Sequence, residues 1–243
     1  MGKKSNIFQF RQFEVKMERC AMKVGTDGVL LGAWAQPLGE AATSALDVGT
    51  GTGLIALMLA QRFPDLLIDA IDIDSNAAEQ AAENFSACPW SSRLAARQAD
   101  FLEFAAACGK KYDLIVSNPP FFADSLKCPD EARSAARHDN GLPLAGLILK
   151  SADLLAENGN LCIIAPADRA TEIESLCDTN SLYINHKTSV ISIEGAAPKR
   201  ILYSITKSAT TRVTTTVTIA TADHAPTLDY TNLVGQYYLR IKV

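Results

Sequence analysis

The chain has 243 residues, of which 48% are hydrophobic and 21% charged, a balance typical of one globular domain with a large core. It has no apolar run near the roughly 18 residues of a membrane span, and its beginning, MGKKSNIFQF, lacks the apolar stretch of a secretory signal. We therefore predict a cytoplasmic location without membrane association. The net charge of -4 excludes a general attraction to nucleic acid, so any RNA contact must use a local basic patch.

The cysteine and histidine side chains give no sign of a metal site. Six cysteines and three histidines are scattered along the chain, without a C-x-x-C pair or a histidine cluster. The same scatter argues against a disulfide framework. We predict no metal, and we expect the cysteines to be buried, reduced thiols.

From Ser44 onward, short aliphatic runs alternate with alanine-rich stretches, the rhythm of consecutive β-α units on a parallel sheet. The predicted strands cover 44–49, 66–72, 94–100, 112–118 and 160–166. The predicted helices cover 54–63, 77–85, 101–107 and 142–158. This order predicts an α/β fold, in which a mostly parallel sheet carries helices on both faces.

The residue composition changes after Ala170. Residues 181–193, 200–207 and 212–220 are rich in Thr, Val, Ile and Tyr, and we expect antiparallel strands that close the sheet at its carboxyl-terminal side. Residues 1–43 are too few for an independent domain. We predict one domain over 44–243, with 1–43 as an extension of strands or a helix that covers the ligand edge of the sheet.

A glycine turn follows the first strand of the parallel sheet. Residues 46–53, LDVGTGTG, run directly into a helix, so the turn lies at the carboxyl edge where open parallel sheets bind ligands. The spacing G-x-G-x-G differs from the phosphate-binding G-x-G-x-x-G, and no Gly-Lys pair follows, which favours a ligand without phosphates. Asp47, at the tip of the strand, either reaches an ammonium group of that ligand or braces the turn.

Acidic residues end the next two strands. Asp72 can accept hydrogen bonds from both hydroxyls of a ribose, whereas Asp74 is better explained as a helix N-cap and Asp69 as an exposed strand residue. Asp100 either accepts a hydrogen bond from an adenine amine, with Phe101 packed on the ring, or caps the following helix.

The fourth strand delivers Ser117-Asn118-Pro119-Pro120-Phe121-Phe122 to the same edge. The prolines have no N–H to offer and Asn118 adds a side-chain carbonyl, which predicts two acceptors for an NH2 group beside an aromatic ring. Alone, N-P-P is often a turn, but here it follows the glycine turn and the two acidic tips. Acceptors on both amine protons would favour pyramidalisation and aim the nitrogen lone pair at a methyl donor.

Together LDVGTGTG, IDID, QAD and SNPPFF resemble the class I Rossmann-like S-adenosylmethionine methyltransferases that methylate amines and carry N-P-P before an aromatic residue. The resemblance implies a seven-stranded sheet with an antiparallel carboxyl-terminal hairpin, and S-adenosylmethionine as cofactor. The implied amine-binding residues are Asn118, Pro119, Pro120 and Phe121. The implied cofactor-binding residues are Asp47, Gly49, Thr50, Gly51, Gly53, Asp72, Ile73, Asp100 and Phe101.

Three further segments, 8–34, 133–138 and 198–207, are similar to the bacterial family that methylates N6 of adenine-37 in a valine tRNA. By this resemblance, Lys23 and Thr26, with Asp27, lie near the methionine end of the cofactor. By the same resemblance, Arg133, Arg137 and His138 lie near the substrate. The resemblance implies a tRNA substrate and no obligatory protein partner.

Three alternatives stay open at this point. N-P-P before an aromatic residue also serves methylation of a glutamine amide in a protein, but those enzymes carry a helical domain ahead of the glycine turn. A ribosomal-RNA or DNA adenine methyltransferase is the second, although no insert is large enough for a DNA-recognition domain. A non-catalytic subunit that kept the fold is the third, because a fold alone does not prove activity.

Overall fold

A computed structural model of the chain describes residues 6–20, 22–120 and 142–239. The strands are β1 (Ile7–Gln9), β2 (Glu14–Lys16), β3 (Ser44–Val48), β4 (Leu67–Asp72), β5 (Leu94–Gln98), β6 (Tyr112–Ser117), β7 (Leu155–Pro166), β8 (Tyr183–Ile193), β9 (Arg200–Thr206) and β10 (Val213–Ala220). The helices are α1 (Thr26–Trp34), α2 (Leu54–Arg62), α3 (Ser75–Ser86), α4 (Phe101–Ala107), α5 (Leu144–Leu154), α6 (Ala170–Thr179) and α7 (Leu228–Val234). Short 3-10 turns lie at Ser91–Arg93 and Ala167–Arg169.

The main sheet confirms the predicted α/β fold. Its strand order is β10-β8-β9-β7-β6-β3-β4-β5, and β9 alone runs antiparallel to its neighbours, β7 and β8. The predicted antiparallel hairpin near the carboxyl terminus is therefore β8–β9. Parallel strands are covered on both faces, and two core clusters of aliphatic and aromatic side chains fill the space between the sheet and the helices.

The sheet has eight strands instead of the predicted seven, because β10 extends it beyond β8. We expected 212–220 to pair antiparallel, but β10 pairs parallel with β8, with Val213 opposite His186. Strand β9 ends opposite Tyr183, at the start of β8, and β10 begins on the other side of β8, so the connection 207–212 passes the beginning of β8. Strand β10 therefore runs opposite to β9, as a short connection requires, but it pairs with β8 and not with β9.

Helix boundaries follow local signals, with one exception. Asp74 caps α3, since its Oδ1 accepts from the N–H of Asn76 at 2.9 Å, as predicted. The predicted helix over 142–158, however, ends at Leu154. Leu155 is 1% exposed and pairs with Tyr112 of β6, so the burial of this side chain against the sheet overrides the helical pattern.

The N-terminal residues share the core of the sheet. Residues Phe10, Val15 and Leu30 belong to the same buried cluster as Leu57 of α2. The helix α1 packs closely on α2, because a Cβ at Gly32 would stand 2.7 Å from Sδ of Met58. The boundary that we drew between 43 and 44 stays a prediction.

Strands β1 and β2 pair antiparallel and form an N-terminal hairpin, which contacts residues near the other end of the chain. The N–H of Arg11 donates to the carbonyl of Tyr237 at 2.8 Å, and its Nε donates to the carbonyl of Tyr238 at 2.6 Å. Phe10 and Tyr238 form an antiparallel bridge, and their rings lie 5.8 Å apart. The hairpin is therefore fastened by residues that follow α7.

Within 6–20, 22–120 and 142–239, no helix combines the length and apolar character needed to cross a bilayer. The same ranges contain no group of histidine, cysteine or acidic side chains suited to a metal ion. The five described cysteines are free thiols; three are buried, and Cys20 and Cys108 are half-buried. The sixth, Cys128, lies outside the described residues.

Candidate functional site

The tips of four parallel strands meet at one edge of the sheet. Strand β3 lies between β4 and β6, and Val48 near its end is opposite both Ile71 and Ser117. Strand β5 follows β4, with Gln98 opposite Asp72. The polar residues that follow each strand are consequently neighbours, as the sequence predicts.

The glycine turn uses its glycines for two different purposes. Gly49, Gly51 and Gly53 have φ of 69°, 55° and 80°. A Cβ at Gly49 or Gly51 would meet no atom within 4 Å, whereas one at Gly53 would stand 2.5 Å from Cε1 of Phe85. The first two therefore leave open space for a ligand beside the backbone, and Gly53 allows α3 to pack against the turn.

Asp47 braces this turn from a fully buried position. Its Oδ2 accepts from Oγ1 of Thr50 at 2.6 Å and from the N–H of Ala56 at 3.3 Å. Its Oδ1 is buried and has no hydrogen-bond partner among the described residues. Burial raises the pKa of Asp47 to about 7, and the negative charge of Asp72 adds to the rise. One carboxylate oxygen of Asp47 thus keeps its hydrogen-bond acceptor capacity unused.

Asp72 is half-buried and holds the turn from the side of β4. Its Oδ2 accepts from the N–H of Gly51 at 2.8 Å, and its Oδ1 accepts from the N–H of Asp74 at 3.0 Å. Each carboxylate oxygen has capacity for a further hydrogen bond. The neighbouring Ile73 is 62% exposed.

Asp100 follows β5 and caps α4. Its Oδ1 alone accepts both bonds, from the N–H of Leu102 at 2.8 Å and of Glu103 at 3.0 Å. Phe101 is only 5% exposed and belongs to the core cluster that contains Val48. Its predicted stacking on an adenine ring stays a prediction, and this burial argues against it.

A cavity of about 390 Å³ opens between the glycine turn and the N-terminal residues. We call its two sides the turn wall (49–52, 54 and 55) and the N-terminal wall (22, 23 and 25–28). Asn118 lines the same cavity. Five predicted cofactor-binding residues therefore share one cavity with the predicted amine-binding asparagine: Gly49, Thr50 and Gly51 in the turn wall, and Lys23 and Thr26 in the N-terminal wall.

Asn118 lies directly after β6 and is half-buried. Pro119 is buried and Pro120 exposed. The preceding Ser117 donates from Oγ to the carbonyl of Val48 at 2.8 Å, which fixes the end of β6 to β3. A Cβ at Gly28 would stand 3.9 Å from Nδ2 of Asn118, so the first turn of α1 lies close to the asparagine amide.

The first turn of α1 faces the cavity without a side-chain cap. Its N-cap is Gly25, which offers no side-chain hydrogen bond, and Asp27 follows in the first turn. Nε of Arg200, at the start of β9, donates to Oδ2 of Asp27 at 2.9 Å, an ion pair that spans 173 positions of the chain. This pair fastens the N-terminal wall to the sheet.

Some predicted residues lie away from the cavity or outside the described ranges. Asp47, Asp72 and Asp100 are at the same sheet edge but do not line the cavity. The predicted residues outside the described ranges are Phe121, Arg133, Arg137 and His138. Sequence reasoning missed Met22, Gly25, Gly28 and Thr52; the run K-V-G-T-D-G was the available signal for the two glycines.

The sequence profile of the methyltransferase small domain matches residues 27–179 of this chain. The chain therefore belongs to the methyltransferase small domain family, and it is an enzyme of the methyltransferase class.

Two curated relatives match nearly the whole length of this chain. A protein of Bacteroides thetaiotaomicron named tRNA1(Val) (adenine(37)-N6)-methyltransferase is 45% identical, with 97% of this chain and 98% of the relative covered. A protein of Parabacteroides distasonis with the same name is 43% identical, with 96% and 98% covered. Among solved structures, a predicted O-methyltransferase of Agrobacterium tumefaciens has a TM-score of 0.68 at 18% identity, covering 87% of this chain and 96% of its own, which supports the fold.

Proposed function

We propose that this chain transfers a methyl group from S-adenosylmethionine to N6 of adenine-37 in tRNA1(Val). The observation that carries the proposal is that Asn118 and the glycine turn line one cavity. Relatives that match nearly the full length of the chain bear the name of this reaction, which supports adenine over a protein amide. Their coverage also disfavours the alternative of a fold kept without catalysis.

The residues present fit the cofactor. The hydroxyls of its ribose would bind Asp72, whose two oxygens each have room for a second hydrogen bond, and Ile73 would cover the adenine. The unpartnered Oδ1 of Asp47 would accept from the ammonium group of the methionine part. The uncapped N–H groups at the start of α1, with Lys23 beside them, would favour its carboxylate. When bound, the cofactor supplies an electrophilic methyl group on a sulfonium.

The protein's part in the chemistry is to orient a weak nucleophile. The N6 amine of adenine is planar, because its lone pair is delocalised into the ring. The side-chain carbonyl of Asn118 and the backbone carbonyl of Pro119 would each accept one amine proton, which favours a pyramidal nitrogen with its lone pair directed at the methyl carbon. In the transfer, the C–S bond of the bound cofactor would be exchanged for the new C–N bond, and the extra amine proton would pass to water.

A methyl-transfer assay tests the proposal directly. Purified protein would be incubated with S-adenosylmethionine and a tRNA1(Val) transcript, and the nucleosides analysed by mass spectrometry. We expect N6-methyladenosine in this transcript and none in a matched transcript with guanine at position 37. Methyl transfer to the guanine-37 transcript would refute the position. Transfer to protein would support the glutamine alternative, and transfer to neither would support a non-catalytic role.

A further inference from the structure

Asn84, on α3, makes three hydrogen bonds that the proposed chemistry does not use. It is 2% exposed. Its Oδ1 accepts from the N–H of Lys16 at 3.0 Å, while its Nδ2 donates to the carbonyl of Lys16 at 3.0 Å and to the carbonyl of Thr52 at 2.8 Å. The amide thus pairs with the backbone of Lys16 as an adjacent strand would, and it holds the glycine turn with its remaining proton.

Asn84 joins the backbone of Thr52 to that of Lys16, and each of these two segments is connected to one wall of the cavity. Thr52 belongs to the turn wall. Lys16 ends β2, and the next residue, Met17, accepts at Sδ a hydrogen bond from the N–H of Val24 at 3.2 Å. Val24 lies between the wall residues Lys23 and Gly25, the N-cap of α1, so this bond connects Met17 to the middle of the N-terminal wall. A single buried amide therefore connects both walls.

We propose that Asn84 is a positioning residue that sets the separation of the turn wall and the N-terminal wall, and thereby the affinity for S-adenosylmethionine. The inference rests on the proposed function, since it takes this cavity as part of the cofactor site. Asn84 does not itself line the cavity. Its effect acts through the backbones of Lys16 and Thr52, which no other side chain joins among the hydrogen bonds of the described residues.

Gln80, one turn earlier on α3, offers a matched control. It is 1% exposed, and its Oε1 accepts from the N–H of Arg19 at 3.2 Å. Its Nε2 donates to Glu83 on the same helix. Gln80 therefore fastens the same N-terminal segment to α3 through a buried amide, but it has no hydrogen bond to the glycine turn.

The test compares binding of S-adenosylhomocysteine, measured by titration calorimetry, in wild type, Asn84→Ala, Asn84→Asp and Gln80→Ala. Asn84→Asp preserves the shape and the acceptor for Lys16 but removes both donated bonds. We expect Kd to rise about tenfold in both Asn84 variants, because each loses more than one of the buried hydrogen bonds that hold the two walls. Gln80→Ala should change Kd by less than about threefold at a similar loss of thermal stability.

Kinetics give a second readout that loss of stability alone would not produce. At saturating S-adenosylmethionine, kcat of the Asn84 variants should fall by less than about threefold while KM for the cofactor rises, because Asn118 is untouched. Equal Kd changes in the Asn84 and Gln80 variants, or unchanged binding after loss of Asn84, would overturn the proposal.

If an Asn84 variant does not fold, hydrogen exchange of the wild-type protein still tests the proposed connection between the two walls. S-adenosylhomocysteine should slow amide exchange in 14–20 as well as in 49–55, since the two segments are joined through Asn84. Protection confined to 49–55 would contradict the coupling. A wild-type protein that fails to bind S-adenosylhomocysteine would refute the proposed function, whereas wild-type binding that Asn84 does not affect would refute only the positioning role.

Discussion

Alanine substitutions at two glycines of the turn should separate ligand binding from packing. Gly51 and Gly53 have φ of 55° and 80°, so a side chain at either position is strained by about 1–2 kcal/mol. At Gly51 nothing else opposes a methyl group, since no atom lies within 4 Å of its Cβ position. Gly51→Ala should therefore lower the free energy of unfolding by only about 1–2 kcal/mol.

Gly53→Ala adds a steric cost to the same backbone strain. Its Cβ would stand 2.5 Å from Cε1 and 3.0 Å from Cζ of Phe85, a ring that is itself 2% exposed and has no room to move. Overpacking of this kind costs about 1–3 kcal/mol, so we expect a total loss of about 2–5 kcal/mol. In a Phe85→Leu background the penalty of Gly53→Ala should shrink, because the clashing ring edge is gone.

Cofactor affinity should respond in the opposite order: Gly51→Ala should weaken binding more than Gly53→Ala does. The methyl group of Gly51→Ala enters the space kept open beside the turn, so the affinity for S-adenosylhomocysteine should fall by about tenfold or more, equivalent to about 1.4 kcal/mol. Urea unfolding and titration calorimetry on the same preparations measure both quantities. The division of roles is refuted if Gly51→Ala binds like wild type, or if it unfolds as easily as Gly53→Ala.

Three further outcomes follow from the acidic tips and the asparagine. Asn118→Ala should lower kcat by about tenfold to a hundredfold or more with little change in cofactor affinity; unchanged turnover would exclude Asn118 from the mechanism. Asp72→Ala should weaken cofactor binding in calorimetry, since it removes the acceptor for the ribose and frees the N–H of Gly51; equal affinity would contradict this. The pKa of Asp47 is raised to about 7, so the folded state binds the extra proton and stability should decline as pH rises from about 4 to 7. Urea unfolding of Asp47→Asn should lack this part of the pH dependence, and an identical pH profile would contradict the raised pKa.

The succession of strands and helices along the chain, and the sheet edge at which the polar residues meet, could be predicted because they depend on local signals. Asp74 caps α3 with an oxygen that reaches two residues along the chain, and a glycine turn after a buried strand determines its own location. The helix α4 begins and ends where the pattern over 101–107 predicts. Residues whose role depends on near neighbours were thus accessible to sequence reasoning.

What could not be predicted depends on which distant segments meet. The direction of β10 follows from its pairing partner, which its threonine-rich composition does not reveal. Asn84 reads as one more polar residue of an alanine-rich helix, and only the fold brings Lys16 and Thr52 to its amide. The same holds for Arg200, whose partner Asp27 lies near the other end of the chain.

The bond between Arg11 and the backbone beyond α7 has a consequence for synthesis on the ribosome. Arg11 leaves the ribosome 227 residues before Tyr238, the residue whose carbonyl its guanidinium binds. Until Tyr237 and Tyr238 have been synthesised, the hairpin of β1 and β2 lacks the hydrogen bonds that Arg11 makes to them. The segment that leads from the hairpin to the N-terminal wall lacks this support for the same time. The nascent protein can form its glycine turn early, but Tyr237 and Tyr238 can support the segment that leads to the N-terminal wall only after translation has passed α7.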